Sequence, residues 1–139
     1  MKKELLFAVG MLFALNVWAV QPIRQYTPGK LCTPDDPDFL EYRYSEHIAY
    51  CERNVNHQKK LEVAREYGIP ESEWQDYEFD HLIPLNAGGS SDIENIWPQP
   101  LDEAHEKDKL EQQIYYGLKS GKLTQETAVR MIWDWIERH

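Results

Sequence analysis

Tyr77-Glu78-Phe79-Asp80-His81-Leu82-Ile83-Pro84-Leu85, followed by Gly88-Gly89 and then by Asn95-Ile96-Trp97-Pro98, is the stretch on which the fold turns. From Tyr77 to Asp80 aromatic residues alternate with acidic ones, the period of a short, half-buried strand. Pro84, Gly88, Gly89, Ser90 and Ser91 then supply loop chemistry. Asn95 to Trp97 reads as a second short strand, which Pro98 and Pro100 should stop because proline cannot donate to a ladder. Beyond Pro100, the spacing of Ala104, Leu110, Ile114 and Leu118 predicts a helix over 102–118, with Gly121 near its end. The order is strand, loop, strand, helix: a ββα unit over about 77–118.

The same stretch carries a hydrolytic set of side chains. Asp80 offers a hard oxygen ligand and His105 an imidazole, a pair that leaves most positions on a divalent ion open to water and phosphate. Magnesium suits such an oxygen-rich site, and the imidazole also admits manganese, nickel or zinc. His81 follows Asp80 directly, so a strand that turns one toward an ion projects the other away, toward an attacking water. A neutral imidazole, with an ordinary pKa of about 6.5, is the natural general base near neutral pH. Taken singly, each residue has a plainer reading: His81 as a structural hydrogen-bonder, His105 as a solvated helix residue, Asn95 as a turn residue. Their order and the glycine loop favour the catalytic one.

Here the chain resembles the HNH, or ββα-metal, nucleases, whose first strand delivers an Asp-His or His-His pair. The matching residues are Asp80 and His81, then Gly88-Gly89, Asn95 and His105, with 14 positions from His81 to Asn95 and 10 from Asn95 to His105. The resemblance covers about Tyr77 to Glu111. It implies that His81 is the base, that Asn95 orients His81 or braces its loop, that Asp80 and His105 hold the metal, and that products carry a 5′-phosphate. More loosely, the layout from Cys32 onward looks like small secreted bacterial proteins bearing such a core. One departure concerns Lys109, where colicin-type members place a further histidine. A protonated lysine cannot ligate, so either two protein ligands suffice or Asp102 assists, and Lys109 is read as a contact to a phosphate oxygen.

Outward from this core, Ile48, Cys51, Val55, Val63, Ala64 and Tyr67 approximate one helical face, which predicts a helix from Ser45, as N-cap, to about Tyr67, ended by Gly68, Ile69 and Pro70. Arg53, His57 and Lys60 would form one cationic stripe on it, either an ordinary solvated face or a phosphate contact through Arg53 and Lys60. A final helix should start at Thr124 and bury Ala128, Val129, Ile132, Trp133 and Ile136. His47, His57 and His139 read as surface residues. Prolines at 22, 28, 34 and 37 make the segment 20–44 an extended lead. The expected fold is α+β: one mainly helical domain over 45–139 with a small HNH-like ββα core.

At the amino terminus Lys2 and Lys3 precede an apolar run from Leu5 to Leu15, and Ala19 offers a small residue at a cleavage point. The run is shorter than the roughly 20 residues of a spanning helix, so residues 1–19 read as a signal peptide, giving a periplasmic or secreted protein with no membrane part after cleavage. Export makes a disulfide between Cys32 and Cys51 the default, while a zinc ribbon would need more cysteines. Formal charge is −9, and loss of Lys2, Lys3 and Glu4 takes it to −10. So acidic a chain should hold a nucleic-acid substrate weakly, with strong dependence on salt. The sequence therefore points to an exported metal-dependent endonuclease acting on DNA, or on RNA, with little sequence preference. Two other readings stand beside it: a non-catalytic exported binding module on the same frame, and a metal-dependent phosphodiesterase for small substrates.

Overall fold

A computed structural model describes residues 20–139; the signal peptide read at 1–19 lies outside the described residues. Tyr77–His81 forms strand β3 and Ile96–Pro100 strand β4, after the hairpin strands β1 (Phe39–Arg43) and β2 (Ile48–Cys51). Three helices complete the chain: α1 (His57–Tyr67), α2 (Leu101–Lys119) and α3 (Gln125–Arg138). The result is a single small α+β domain with two antiparallel pairs, β1–β2 and β3–β4.

Strand β4 runs through both prolines that should have stopped it, with Phe79 opposite Pro98 and Tyr77 opposite Pro100. In an antiparallel pair only alternate residues face the partner with their N–H groups. Leu82 N–H donates to Asn95 O at 2.8 Å, which puts 95, 97 and 99 on the bonded side and leaves Pro98 and Pro100 where no donor is needed. The pleat divides the core. Phe79 and Ile96 pack with Val63, Ala64 and Ile69 of the α1 side. Trp97 instead joins Leu82, Ile83, Ile114 and Leu118, and, from α3, Ala128, Ile132, Trp135 and Ile136.

The helix predicted from Ser45 to Tyr67 is corrected to a strand, an irregular stretch and a shorter helix. Ile48 and Cys51 are the two buried ends of β2, so their spacing of three, which mimics a helical face, reflects burial on opposite sides of a strand. Asn56, not Ser45, caps α1: its side chain accepts from Lys59 N–H at 2.9 Å. Gly68 closes that helix in the left-handed conformation, φ 67°. Arg53 consequently precedes the helix, and the predicted stripe of Arg53, His57 and Lys60 does not exist as such. The hairpin β1–β2 also crosses the expected boundary at 45. Helices α2 and α3 lie where the periodicity put them, and the side chain of Thr124 caps α3.

The lead segment is extended and pinned. Leu31 bridges Gly89, Cys32 N–H donates to Gly88 O at 2.8 Å, and Ser90 N–H donates to Lys30 O at 3.0 Å. Cys32 and Cys51 lie at disulfide distance, Cα–Cα 5.8 Å, fastening this segment to the end of β2.

Candidate functional site

At the end of β3, Asp80 and His81 point to opposite faces, as strand geometry requires, yet both border one open cleft. It holds about 270 Å³ and is lined by Arg43, Tyr50, Arg53, Asp80, His81, Pro84, Leu85, Asn86 and Glu111.

The His81 ring is 3% exposed, and its environment fixes which nitrogen carries the proton. Ser91 Oγ has one hydrogen, and the Glu52 carbonyl 2.8 Å away can only accept it. The hydroxyl oxygen is then an acceptor, for Asn54 N–H at 3.0 Å and for His81 Nε2–H at 3.0 Å. That leaves the lone pair on Nδ1, 3.5 Å from Arg53 Nη1 at the cleft wall. Burial pushes His81 down to about 4; Asp80 pulls it up, while Arg53, Lys107 and Lys59 add to the lowering. The ring is a neutral imidazole across the physiological range.

Asn95 is fully buried and braces the loop rather than the ring. Its Oδ1 accepts from Ile83 N–H at 3.0 Å, and its Nδ2 donates to Ile83 O at 2.9 Å and to Ser90 O at 2.8 Å. The glycine loop exists to permit this: a Cβ on Gly89 would lie 1.8 Å from Ile83 O and 2.7 Å from Asn95 Nδ2. Gly88 beside it has φ 87°. Loop and asparagine together set Ser91, and Ser91 sets His81.

On the other face Asp80 meets Lys107, a wholly buried side chain of α2. Lys107 Nζ donates to Asp80 Oδ2 at 2.9 Å, to His81 O at 2.8 Å and to Glu111 Oε1 at 2.5 Å, which uses all the hydrogens of an ammonium group. Burial pulls Lys107 down, but Asp80 and Glu111 overcome it and the pKa is raised, so the charge stays. Burial raises Glu111, against the pull of Lys107.

Of the residues singled out by sequence, Asp80, His81 and Arg53 come together in the cleft, with Asn95 behind it. His105 does not line it. It is exposed on α2, two residues before Lys107, and two helical residues subtend roughly 200°, nearly the opposite face. Asp102 and Lys109 are also exposed and away from the cleft lining, and Lys60 sits with its Nζ 5.9 Å from the Phe79 ring. Among the described residues no three His, Cys, Asp or Glu side chains converge to hold an ion. The donor set does not fit a divalent metal: one proposed ligand faces away, and the other already neutralises an ammonium.

Sequence reasoning missed Lys107, Glu111, Ser91, Arg43 and Tyr50. The first two left a signal, since 104, 107, 111, 114 and 118 form one inward stripe of α2 and a lysine with a glutamate interrupts its apolar residues. Arg43 and Tyr50 left none, because they reach the cleft through a hairpin the periodicity concealed. Comparison of the chain with protein families, with curated proteins and with solved structures gave no match.

Proposed function

We propose that the cleft binds nucleic acid and cleaves its phosphodiester backbone, with His81 as general base. The observation that carries this reading is the fixed tautomer: the Ser91 hydrogen-bond set leaves Nδ1 unprotonated and directed at a cleft walled by Arg43 and Arg53. Guanidinium groups there suit the charge of a phosphodiester and of its pentacovalent transition state. Arg53 lies against Nδ1, so a phosphate that draws Arg53 outward would also uncover the base. The strand–loop–strand–helix order around Asp80, His81 and Asn95 is the order that resemblance to HNH nucleases implies, and it supports the same reading.

A second groove shares Arg43 with the cleft and is lined further by Tyr44, Ser45, Tyr115 and Lys119. Tyrosine faces beside cations are what single-stranded nucleic acid uses, bases stacking on rings while phosphates meet charge. The acidic remainder of the surface keeps binding weak and salt-sensitive. Export fits a cysteine pair at disulfide distance, which an oxidising compartment would maintain.

The non-catalytic binding module stays as a second reading because of one observation: His81 is almost wholly enclosed, with partners at both nitrogens. Incubating the mature protein with labelled single-stranded RNA and DNA decides between them. Cleavage that His81→Gln abolishes, while its thermal midpoint shows a folded chain, supports the enzyme. Arg43→Ala, a change outside the core, should lower cleavage about tenfold, chiefly through KM. Binding without cleavage under any divalent ion would leave the module.

A further inference from the structure

The buried ammonium of Lys107 bears on the chemistry of the cleft. Its three oxygen partners, Asp80 Oδ2, Glu111 Oε1 and the His81 carbonyl, are the hard donors a divalent ion would seek, and they already surround a fixed positive charge with no exposed surface. An ion at Asp80 would have to displace that ammonium or sit beside it against its repulsion. The imidazole assigned to the ion by sequence lies across the helix from Lys107. The lysine is thus a covalently attached cation at the place where Asp80 would otherwise hold a metal.

Without an ion, no group of the site generates a metal-bound hydroxide as nucleophile. Beside the Asp80 and Glu111 carboxylates that Lys107 engages, the cleft presents one imidazole lone pair, faced by Arg53 at 3.5 Å, and two guanidinium groups, of which Arg43 also donates to Glu41 at 2.8 Å. That set suffices for a substrate that brings its own nucleophile beside the phosphorus. RNA does so with the 2′-hydroxyl, and DNA does not.

We infer that this is a metal-independent site for single-stranded RNA, in which Lys107 stands in place of an ion and the substrate's 2′-hydroxyl attacks its own phosphate. The inference rests on the reading of the cleft as a nuclease site. In the step, His81 Nδ1 takes the 2′-hydroxyl proton as the 2′-oxygen bonds to phosphorus. The bond from phosphorus to the 5′-oxygen breaks, and that oxygen takes a proton from water. One fragment ends in a 2′,3′-cyclic phosphate and the other in a 5′-hydroxyl; the imidazolium then returns its proton to solvent. Arg43 and Arg53 hold the non-bridging oxygens throughout. Lys107 is a positioning residue that keeps Asp80 and the His81 backbone in place. The groove of Tyr44, Tyr115 and Lys119 takes the neighbouring nucleotides.

The test uses the full mature chain, disulfide intact, on three labelled strands of one sequence: all-RNA, all-DNA, and DNA with one central ribonucleotide, each in excess chelator and each with magnesium, manganese, nickel or zinc. Expected are cleavage of RNA in chelator with cyclic-phosphate ends, no cut in DNA, and a single cut of the mixed strand at the 3′ side of its ribonucleotide. His81→Gln purified in parallel should lose all of it, and Arg43→Ala most of it. Cleavage that appears only with a divalent ion, that yields 5′-phosphate ends, or that extends to all-DNA would overturn the inference and leave the nuclease reading standing. No cleavage of any strand in any condition would overturn the nuclease reading itself.

Discussion

His81 shows how far one buried ring departs from its solution chemistry. With its folded pKa at about 4 against roughly 6.5 unfolded, the fold favours the neutral ring, and that preference contributes stability in full only above the unfolded value. As pH falls from about 6.5 toward about 4 the unfolded chain gains a proton that the folded one refuses, so stability is lost over that window. At pH 4.5 the loss from this group should reach about 2.5 kcal/mol relative to pH 7. Urea denaturation of the wild type and of His81→Gln at both pH values measures it, and equal acid slopes in the two proteins would mean the ring is solvated. The same shift moves the acid limb of any His81-dependent cleavage from the region near 6.5, where an unperturbed histidine would put it, toward 4.

At the scale of the element, the loop between β3 and β4 is the part that other parts depend on. Asn95 reaches across it to Ile83 and Ser90, Gly89 makes room for that reach, and the lead segment closes over the outside through Lys30 and Cys32. Two glycines therefore predict different outcomes. Gly89→Ala forces a Cβ into Ile83 O and the Asn95 amide, and should cost about 3 kcal/mol or more. Gly121→Ala meets open space and bears only the strain of a left-handed backbone at φ 74°, about 1 kcal/mol. Thermal unfolding of the two variants checks this, and similar midpoints would contradict the crowding at 89. The β1–β2 hairpin was illegible for a related reason. Ile48 and Cys51 are buried by different neighbours, one in the main core and one in the cysteine pair, so their spacing carries no period of its own.

Across the whole molecule the cysteine pair links the covering segment to the wall of the cleft. Cys51 is followed by Glu52, whose carbonyl takes the Ser91 hydrogen, by Arg53 against His81, and by Asn54, whose amide donates to Ser91. Tying Cys32 to Cys51, 19 positions apart, stabilises the fold by about 3 kcal/mol through loop closure. It also holds residues 52–54 in register with the ring. Replacing both cysteines by alanine should lower the denaturation free energy by that amount, and should speed hydrogen exchange at the Asn54 amide more than at the α3 amides, as NMR would read. Uniform acceleration at both places would show that the link stabilises the fold without any particular hold on the site.

The sequence by itself determined what is local or strictly periodic. The strand at Tyr77, helices α2 and α3 with the Thr124 cap, the end of α1 at Gly68 and the glycine loop follow from alternation, helical spacing, capping chemistry or turn residues, and the pairing of Cys32 with Cys51 from their being the two cysteines of the chain under the expectation of export. Asp80, His81 and Asn95 were also legible as a group, because strand, loop and strand bring them together whatever surrounds them, whereas Arg53, expected on a helical stripe, reaches His81 from the irregular stretch between β2 and α1. Tertiary structure decided the rest. It turned His105 away and Lys107 in, since a helix packed on β3 presents one stripe only and the choice among 105, 107 and 109 depends on how the helix is rotated against the strands. It placed Arg43 and Tyr50 at the cleft through a hairpin without periodicity. It enclosed His81, and burial, which no spacing of residues expresses, is what sets that ring's protonation and thereby the chemistry open to the site.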